Sequence, residues 1–332
     1  LGNISLDWKY RWGINNLSAT ILAEYQKKKI AAFWTQVKGL TNNYFGYDNL
    51  GAASDRPYGG TGSSYADPSI ASFMGTLTYT LLDRYTLNLT TRADGSSMVG
   101  KDHTWGIFPS ISATWDMKKE SFLRNNKSIS LLNFRTGYGR SGNLGGISSY
   151  LTLRQYIPVG LISYNGTPTV TMGTLRNSNP DLRWETRSTF NIGTDLGLFN
   201  NRLLLTAEYY YSKTTDMLYE YDVPVPTFAF DKLLANIGSM SNSGFELGIG
   251  IVPISKKDME LNVNVNMAWQ KNKLLSLNGK LNGRDMTASD ITPIGSMNGA
   301  GFHGGYNDIL YQIVGQPLGV FYLPHCKGII DN

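Results

Sequence analysis

A chain of 332 residues has room for one large all-β domain or two ordinary domains, and 36 glycines, 20 tyrosines, 13 phenylalanines and 7 tryptophans against only 17% charged residues favour strands and turns over charged helix faces. A mean hydropathy of −0.23 and the lack of an apolar run near 18 residues exclude a spanning α-helix but not a membrane β-barrel, whose strands turn apolar residues outward only at every second position. A net charge of +5, scattered rather than striped, implies no nucleic-acid partner, and the single Cys326 cannot form an internal disulfide.

Alternation begins at once. In NISLDWKYRW, Ile4, Leu6, Trp8, Tyr10 and Trp12 share one parity and Ser5, Asp7, Lys9 and Arg11 the other, with a turn expected at Asn15-Asn16. LSATILAEYQ returns, a long loop is expected over 38–68, and FMGTLTYTLL leads to a tight turn at Asp83-Arg84. YTLNLTTRAD follows, and a loop over 98–105 precedes GIFPSISATWDM. The connection 117–128 is expected to carry a helical turn. LLNFRTGYGRSGN enters the longest loop, 142–182. TRSTFNIGTDLGLF and RLLLTAEYYYSK are separated by Asn200-Asn201. After a loop containing Pro224 and Pro226, GFELGIGIVPIS and MELNVNVNMAW are joined at Lys256-Lys257-Asp258.

About ten strands result, with connections that alternate short and long. Sandwiches and propellers do not sort their connections this way, whereas outer-membrane barrels pair tight periplasmic turns with long external loops. Soluble barrels fill their interior with apolar groups, but here one parity carries Asn, Thr, Ser, Asp and Lys. In hydrocarbon every backbone group must be paired inside the protein, so lipid is placed on the apolar parity and an aqueous lumen on the other, where Asn262, Asn264 and Asn266 would point. Trp8, Tyr10, Trp12, Tyr79, Tyr85, Trp115, Tyr209, Tyr210 and Tyr211 cluster near strand ends as interfacial girdles would.

The run RADGSSMVGKDHTWGIFPSISATWDM resembles the SusC/RagA-like branch of TonB-dependent outer-membrane transporters, through Arg92, Asp94, Gly95, Ser96 and Ser97 and then Gly106, Phe108, Pro109, Ser110, Ser112 and Trp115. FRTGYGRSGN, NPDLRWE, YYYSKTTDML, NIGSMSNSGFEL and GQPLGVFY continue the likeness in order. Met98-Val99 departs from the Arg-Phe that the family often places there. The resemblance implies an all-β fold, a transmembrane antiparallel up-and-down β-barrel with long extracellular loops, of which this chain is a segment of a barrel of about 22 strands. On that reading residues 1–332 are a partial barrel domain, with the plug and N-terminal domain absent from this chain. No signal sequence opens it, so an interior piece or a mature start is expected.

The resemblance further implies an importer of oligosaccharides or peptides in the outer membrane of a Gram-negative bacterium, energised by TonB through parts not in this chain. It implies a SusD-like lipoprotein as a lid and a homodimer of transporter-lid pairs. No cofactor is implied. Loops at about 38–68, 142–182, 222–242 and 278–308 are those that would meet ligand or lid, and the lumen or loop candidates for substrate contact are Arg92, Asp94, Asn143, Tyr164, Asn262 and Asn264. Asp94 beside Arg92 also suits a simpler role, fixing the exit from strand to loop.

Catalysis is not expected. His103, His303 and His325 are isolated, His325-Cys326 has no second cysteine or acidic partner, and the glycine runs at 59–62 and 299–305 do not join a strand to a helix. Asn88-Leu89-Thr90 and Asn165-Gly166-Thr167 fit a glycosylation sequon that has no meaning in that membrane. Two other readings stay open: a passive porin, and a soluble β-rich adhesin or glycan-binding module.

Overall fold

The computed structural model describes residues 1–42, 44, 46–57, 59–281, 284–286, 289, 291–296 and 308–323. Strands β1 (Gly2–Trp12) and β2 (Asn15–Lys27) form the first hairpin. The loop after it carries β3 (Ile30–Thr35), β4 (Lys38–Leu40), β5 (Ala53–Asp55) and β6 (Thr61–Ala66). Strands β7 (Ser69–Leu81), β8 (Tyr85–Ser96), β9 (Trp105–Asp116) and β10 (Ile129–Asn143) follow. An outer hairpin of β11 (Tyr156–Tyr164) and β12 (Thr167–Thr174) precedes β13 (Glu185–Leu198), β14 (Leu203–Asp222), β15 (Lys232–Lys256) and β16 (Met259–Ser276). Short strands β17 (Gly279–Leu281), β18 (Arg284–Met286), β19 (Ile291–Ser296), β20 (Asp308–Ile313) and β21 (Val320–Phe321) end the described chain.

Ten of these make one antiparallel meander in the order β1-β2-β7-β8-β9-β10-β13-β14-β15-β16, so each long strand pairs with the next long strand in sequence. Among the described residues β1 and β16 each pair along one side only. The register also measures the tilt. A transverse row runs from Trp12, at the foot of β1, through Asn15, Leu81, Tyr85, Trp115, Phe134, Thr194, Ala207 and Leu247 to Met267, which stands eight residues above the foot of β16 at Met259. With about 3.3 Å per residue and about 4.8 Å between strands, that climb corresponds to strands inclined by about 30°, close to the roughly 35–45° of membrane barrels.

One face of the meander is mainly apolar between its two rims. Rows such as Leu132–Leu196–Leu205–Ile249–Val265 cross five strands without a polar side chain. Aromatic rings bracket this face. Tyr10, Trp12, Tyr79, Tyr85 and Trp115 lie within two residues of the strand ends at one rim, with Trp12 stacked on Tyr79 and Tyr85 on Trp115 at centroid distances of 6.4 and 6.2 Å. Tyr25, Phe73, Trp105, Tyr138, Phe190, Tyr211, Phe245 and Trp269 form a second belt eight to eleven residues farther along their strands. At about 3.3 Å per residue and a tilt near 30°, that interval rises about 23–31 Å, enough to span an apolar band of about 25 Å. Tyr210 is not part of the belt. It lies on the opposite parity, its ring over Gly244, because neighbouring residues of a strand point to opposite faces.

An open sheet with a lipid face and a water face encloses no core of its own, and the buried apolar side chains lie instead at the loop end. Leu182, Leu274, Leu277, Ala235, Leu233 and Tyr221 are buried there.

Several local expectations are corrected. The first turn is Gly13-Ile14, where Gly13 adopts φ +53°, while Asn15 and Asn16 already pair with Trp12 and Arg11. The expected loop 222–242 shrinks to 223–231, because β14 and β15 continue past the membrane as a ladder from Met217–Gly238 to Asp222–Lys232. The connection 117–128 does carry a single 3-10 turn, Met117–Lys119. It folds back so that Glu120 accepts hydrogen bonds from Tyr85 Oη, Trp115 Nε1 (3.0 Å) and Arg84 Nη1 (2.7 Å), which hold its carboxyl below the usual range. Parts of 278–308, with His303, His325 and Cys326, lie outside the described residues.

Candidate functional site: a polar wall and a loop clamp

The inward face carries the chemistry. Hydroxyl and amide pairs cross it in steps: Thr80 with Thr86 at 3.1 Å, Thr78 donating to Asn88 at 2.7 Å, Thr76 with Thr90 at 3.2 Å. Farther up, Arg92 Nε contacts both oxygens of Asp94, at 2.8 and 3.0 Å, and its Nη2 donates to Ser72 at 2.9 Å, with Glu24 3.9 Å away. Residues two apart on a strand share a face, so the spacing of Arg92 and Asp94 forces them together. Both stand within β8, and Asp94 and Ser72 are buried.

A second ion cluster was not singled out from the sequence. Arg135 on β10 bridges Asp195 on β13 (3.2 Å) and Glu208 on β14. Its cross-strand neighbour is Gly193, where an added Cβ would sit 3.2 Å from the guanidinium carbon, so the absent side chain lets the planar group lie across the sheet. The signal was one of parity, since Arg135, Asp195 and Glu208 all fall on the polar side of their strands.

The remaining candidates are scattered. Asn143 ends β10 and donates to Glu185 at 2.7 Å. Tyr164 is exposed at the tip of the β11–β12 hairpin, away from the wall. Asn262 and Asn264 share the polar parity of β16; Asn262 donates to Glu260 at 2.7 Å and Asn264 faces Gly250. The structure thus brings Arg92 and Asp94 together and does not gather the six residues into one site. A hollow of about 550 Å³ around Gly75, Leu77, Leu89 and Ile111 opens on the apolar face, away from the polar wall.

At the loop end, the blocks that carried the family resemblance converge. Asn179 Nδ2 donates to the carbonyl of Leu234 (2.9 Å), and Leu182 is fully buried. Arg183 grips Asp216 through Nε (2.8 Å) and Nη2 (2.6 Å). The Arg183 backbone exchanges hydrogen bonds with the Asn236 side chain at 2.9 and 2.8 Å. Trp184 meets Phe108 edge to face at 5.5 Å, and Glu185 accepts from the Leu218 amide at 2.7 Å. Gly100 lies under this segment, its amide donating to Leu182 at 2.7 Å, and a Cβ there would fall 1.9 Å from the Pro180 carbonyl. The block at 315–322 docks on the end of β16, with Leu274 and Gln316 sharing a backbone bond and Leu318 N donating to Asn272. Residues drawn from Gly100 to Asn236 thereby become one clamp that fixes the end of the 142–182 loop to the strands. Among the described residues no cluster of three or more His, Cys, Asp or Glu could hold a metal.

A smaller tie fixes the first long loop. Asp67 accepts from Lys27 (2.9 Å) and Tyr150 (3.1 Å), and these bonds, Lys27 first, hold its carboxyl below the usual range. A depressed carboxyl contributes stability above its ordinary pKa of 3.8 and loses it as pH falls through the lower folded value. Protection of the Leu153 amide, whose N–H bonds the Tyr150 carbonyl, taken relative to its intrinsic exchange rate at each pH, is therefore expected to fall as the pH is lowered past 3.8. In Asp67→Asn the same amide is expected to exchange quickly at neutral pH, with no acid step.

An antiparallel meander with tight turns at one rim, clamped loops at the other, an apolar outer face and a charged inner one is the arrangement of a segment of an outer-membrane β-barrel. The chain matches the family described as "TonB dependent receptor-like, beta-barrel" over residues 2–320, and it belongs to that family, whose members reside in the outer membrane of Gram-negative bacteria. Over 257 residues it is 33% identical to TonB-dependent receptor P26 of Formosa agariphila, covering 77% of this chain and 26% of that protein. Over 220 residues it is 36% identical to TonB-dependent receptor SusC of Bacteroides thetaiotaomicron, covering 64% and 21%. The chain spans about a quarter of the length of these curated relatives. Among solved structures, the RagAB peptide transporter superposes with a TM-score of 0.78 at 21% identity, over 96% of this chain and 32% of that one, a likeness of fold.

Proposed function

We propose that this chain forms the central part of the barrel of a TonB-energised importer that takes up oligosaccharides or peptides beneath a SusD-like lipoprotein lid. The observation that carries this reading is the pairing of a polar, ion-lined inner wall with a loop clamp built from the blocks shared with SusC-like receptors. Curated relatives named as TonB-dependent receptors, SusC among them, support the class, and a superposing protein described as a peptide transporter supports the breadth of cargo. The two sheet edges, β1 and β16, which are unpaired among the described residues, would be completed by further strands of the same barrel, since open edges are not tolerated in hydrocarbon. Residues such as Arg135, Asp195 and Glu208 would serve as wall polarity, not as catalysts.

The test is uptake of labelled oligosaccharides and peptides by cells making the full-length protein, with and without an uncoupler. Energised import predicts that uptake of at least one cargo class falls to background when the proton-motive force collapses, and that a lipoprotein co-purifies with the barrel. Uptake that continues unchanged would favour the passive porin.

A further inference from the structure

The outward face of β10–β16 holds a set of bases that the transport reading leaves without a role. Arg140, Ser188, Lys213, Ser241 and Lys273 lie on one transverse row across five neighbouring strands, and Lys271, one pleat nearer the membrane, pairs with Ser243. Arg140, Lys213, Lys271 and Lys273 are all exposed. Among the described residues none of them is in an ion pair, and only Arg140 makes a side-chain hydrogen bond, to Ser188 at 3.4 Å. Positions of the same outward parity from Tyr138 to Gly142, Thr186 to Phe190, Tyr211 to Thr215, Ser241 to Phe245 and Trp269 to Lys273 carry no carboxylate.

Their height is as specific as their sign. The four bases stand ten to fourteen residues above the tight turns, at or just beyond the upper aromatic belt of Tyr138, Phe190, Tyr211, Phe245 and Trp269. The matching level on the other side of the sheet differs: Lys27, on β2, is neutralised by Asp67. Four like charges with serine hydroxyls between them, at about 10 Å per pair of strands, repel one another unless an anion sits among them. At the junction of acyl chains and headgroups the anion at hand is the phosphate of a lipid, and Lys and Arg at such a level reach headgroups while their stems cover apolar surface.

We propose that Arg140, Lys213, Lys271 and Lys273 form a binding site for the phosphate groups of an anionic outer-leaflet lipid, seated over the Tyr138–Trp269 aromatic belt.

The test uses the full-length transporter purified in neutral detergent, titrated with diphosphorylated lipid A, with the same lipid after removal of its phosphates, with phosphatidylcholine and with inorganic phosphate, and read by native mass spectrometry. The expected result is that the phosphorylated lipid is retained at least tenfold better than its dephosphorylated form or phosphatidylcholine. The combined Arg140→Gln, Lys213→Gln, Lys271→Gln and Lys273→Gln variant should lose that margin, and the charge-preserving Lys→Arg changes at 213, 271 and 273 should keep it. Heat-modifiable migration on a gel confirms that each variant still forms its barrel. Equal retention of both forms of the lipid, or an unchanged margin in the Gln variant, would overturn the proposal. So would inorganic phosphate binding as tightly as the lipid, which would mark a small-anion site instead.

Discussion

Val265→Arg in the middle of β16 is expected to destabilise the bilayer-embedded barrel by about 2–4 kcal/mol, the cost of a cation on the lipid face near the midplane. Val265 lies six residues above the foot of its strand, half-way up the apolar band, in the row Leu132–Leu196–Leu205–Ile249–Val265 where nothing polar could receive a guanidinium. Asn264→Arg, one residue away, places the same charge on the wall that already holds Glu246, Glu208 and Asp195, and is expected to cost under about 1 kcal/mol. Guanidinium unfolding of the full-length transporter in vesicles measures both. Equal costs at 264 and 265 would mean that the two faces of β16 meet the same solvent.

The second large effect is at the clamp. Leu182→Ala removes a fully buried side chain at the point where the 144–184 segment meets Gly100, and is expected to cost about 2–5 kcal/mol. The loss should be local, because the strands of the meander are held by their own ladders while the loop is held by Asn179, Leu182, Arg183 and Trp184. Limited proteolysis of intact cells should then cut within 144–178 in the variant and not in the parent protein, with barrel migration on gels unchanged. Gly100→Val should give the same pattern by another route, since any Cβ at Gly100 meets the Pro180 carbonyl.

These contrasts explain what could be read from the sequence. Strict alternation in MELNVNVNMAW and its fellows encodes which side of a strand is apolar, so the ten long strands, their order and the two faces were legible before any coordinates. Sequence rules failed where tertiary contacts overrode composition. NIGSMSNSG reads as loop, yet it is strand, because Asn236 is hydrogen-bonded on both sides and Gly238 fits against Met217. The β11–β12 hairpin carries its own signal, Asn165-Gly166 at φ +50° and +78°, the pair that a two-residue hairpin turn requires, although the same residues also fit a sequon. The clamp was present only as blocks of resemblance. No periodicity in NPDLRWE announces that Leu182 will be buried or that Arg183 will find Asp216, since those contacts join segments that meet only when the barrel forms.

The most direct test of the lipid-out, water-in assignment is spin labelling of the full-length transporter in vesicles at Val263, Asn264 and Val265. The assignment predicts that labels at 263 and 265 relax with oxygen dissolved in the bilayer and that the label at 264 relaxes with a water-soluble nickel chelate. The opposite pattern, or no alternation between the three, would contradict it.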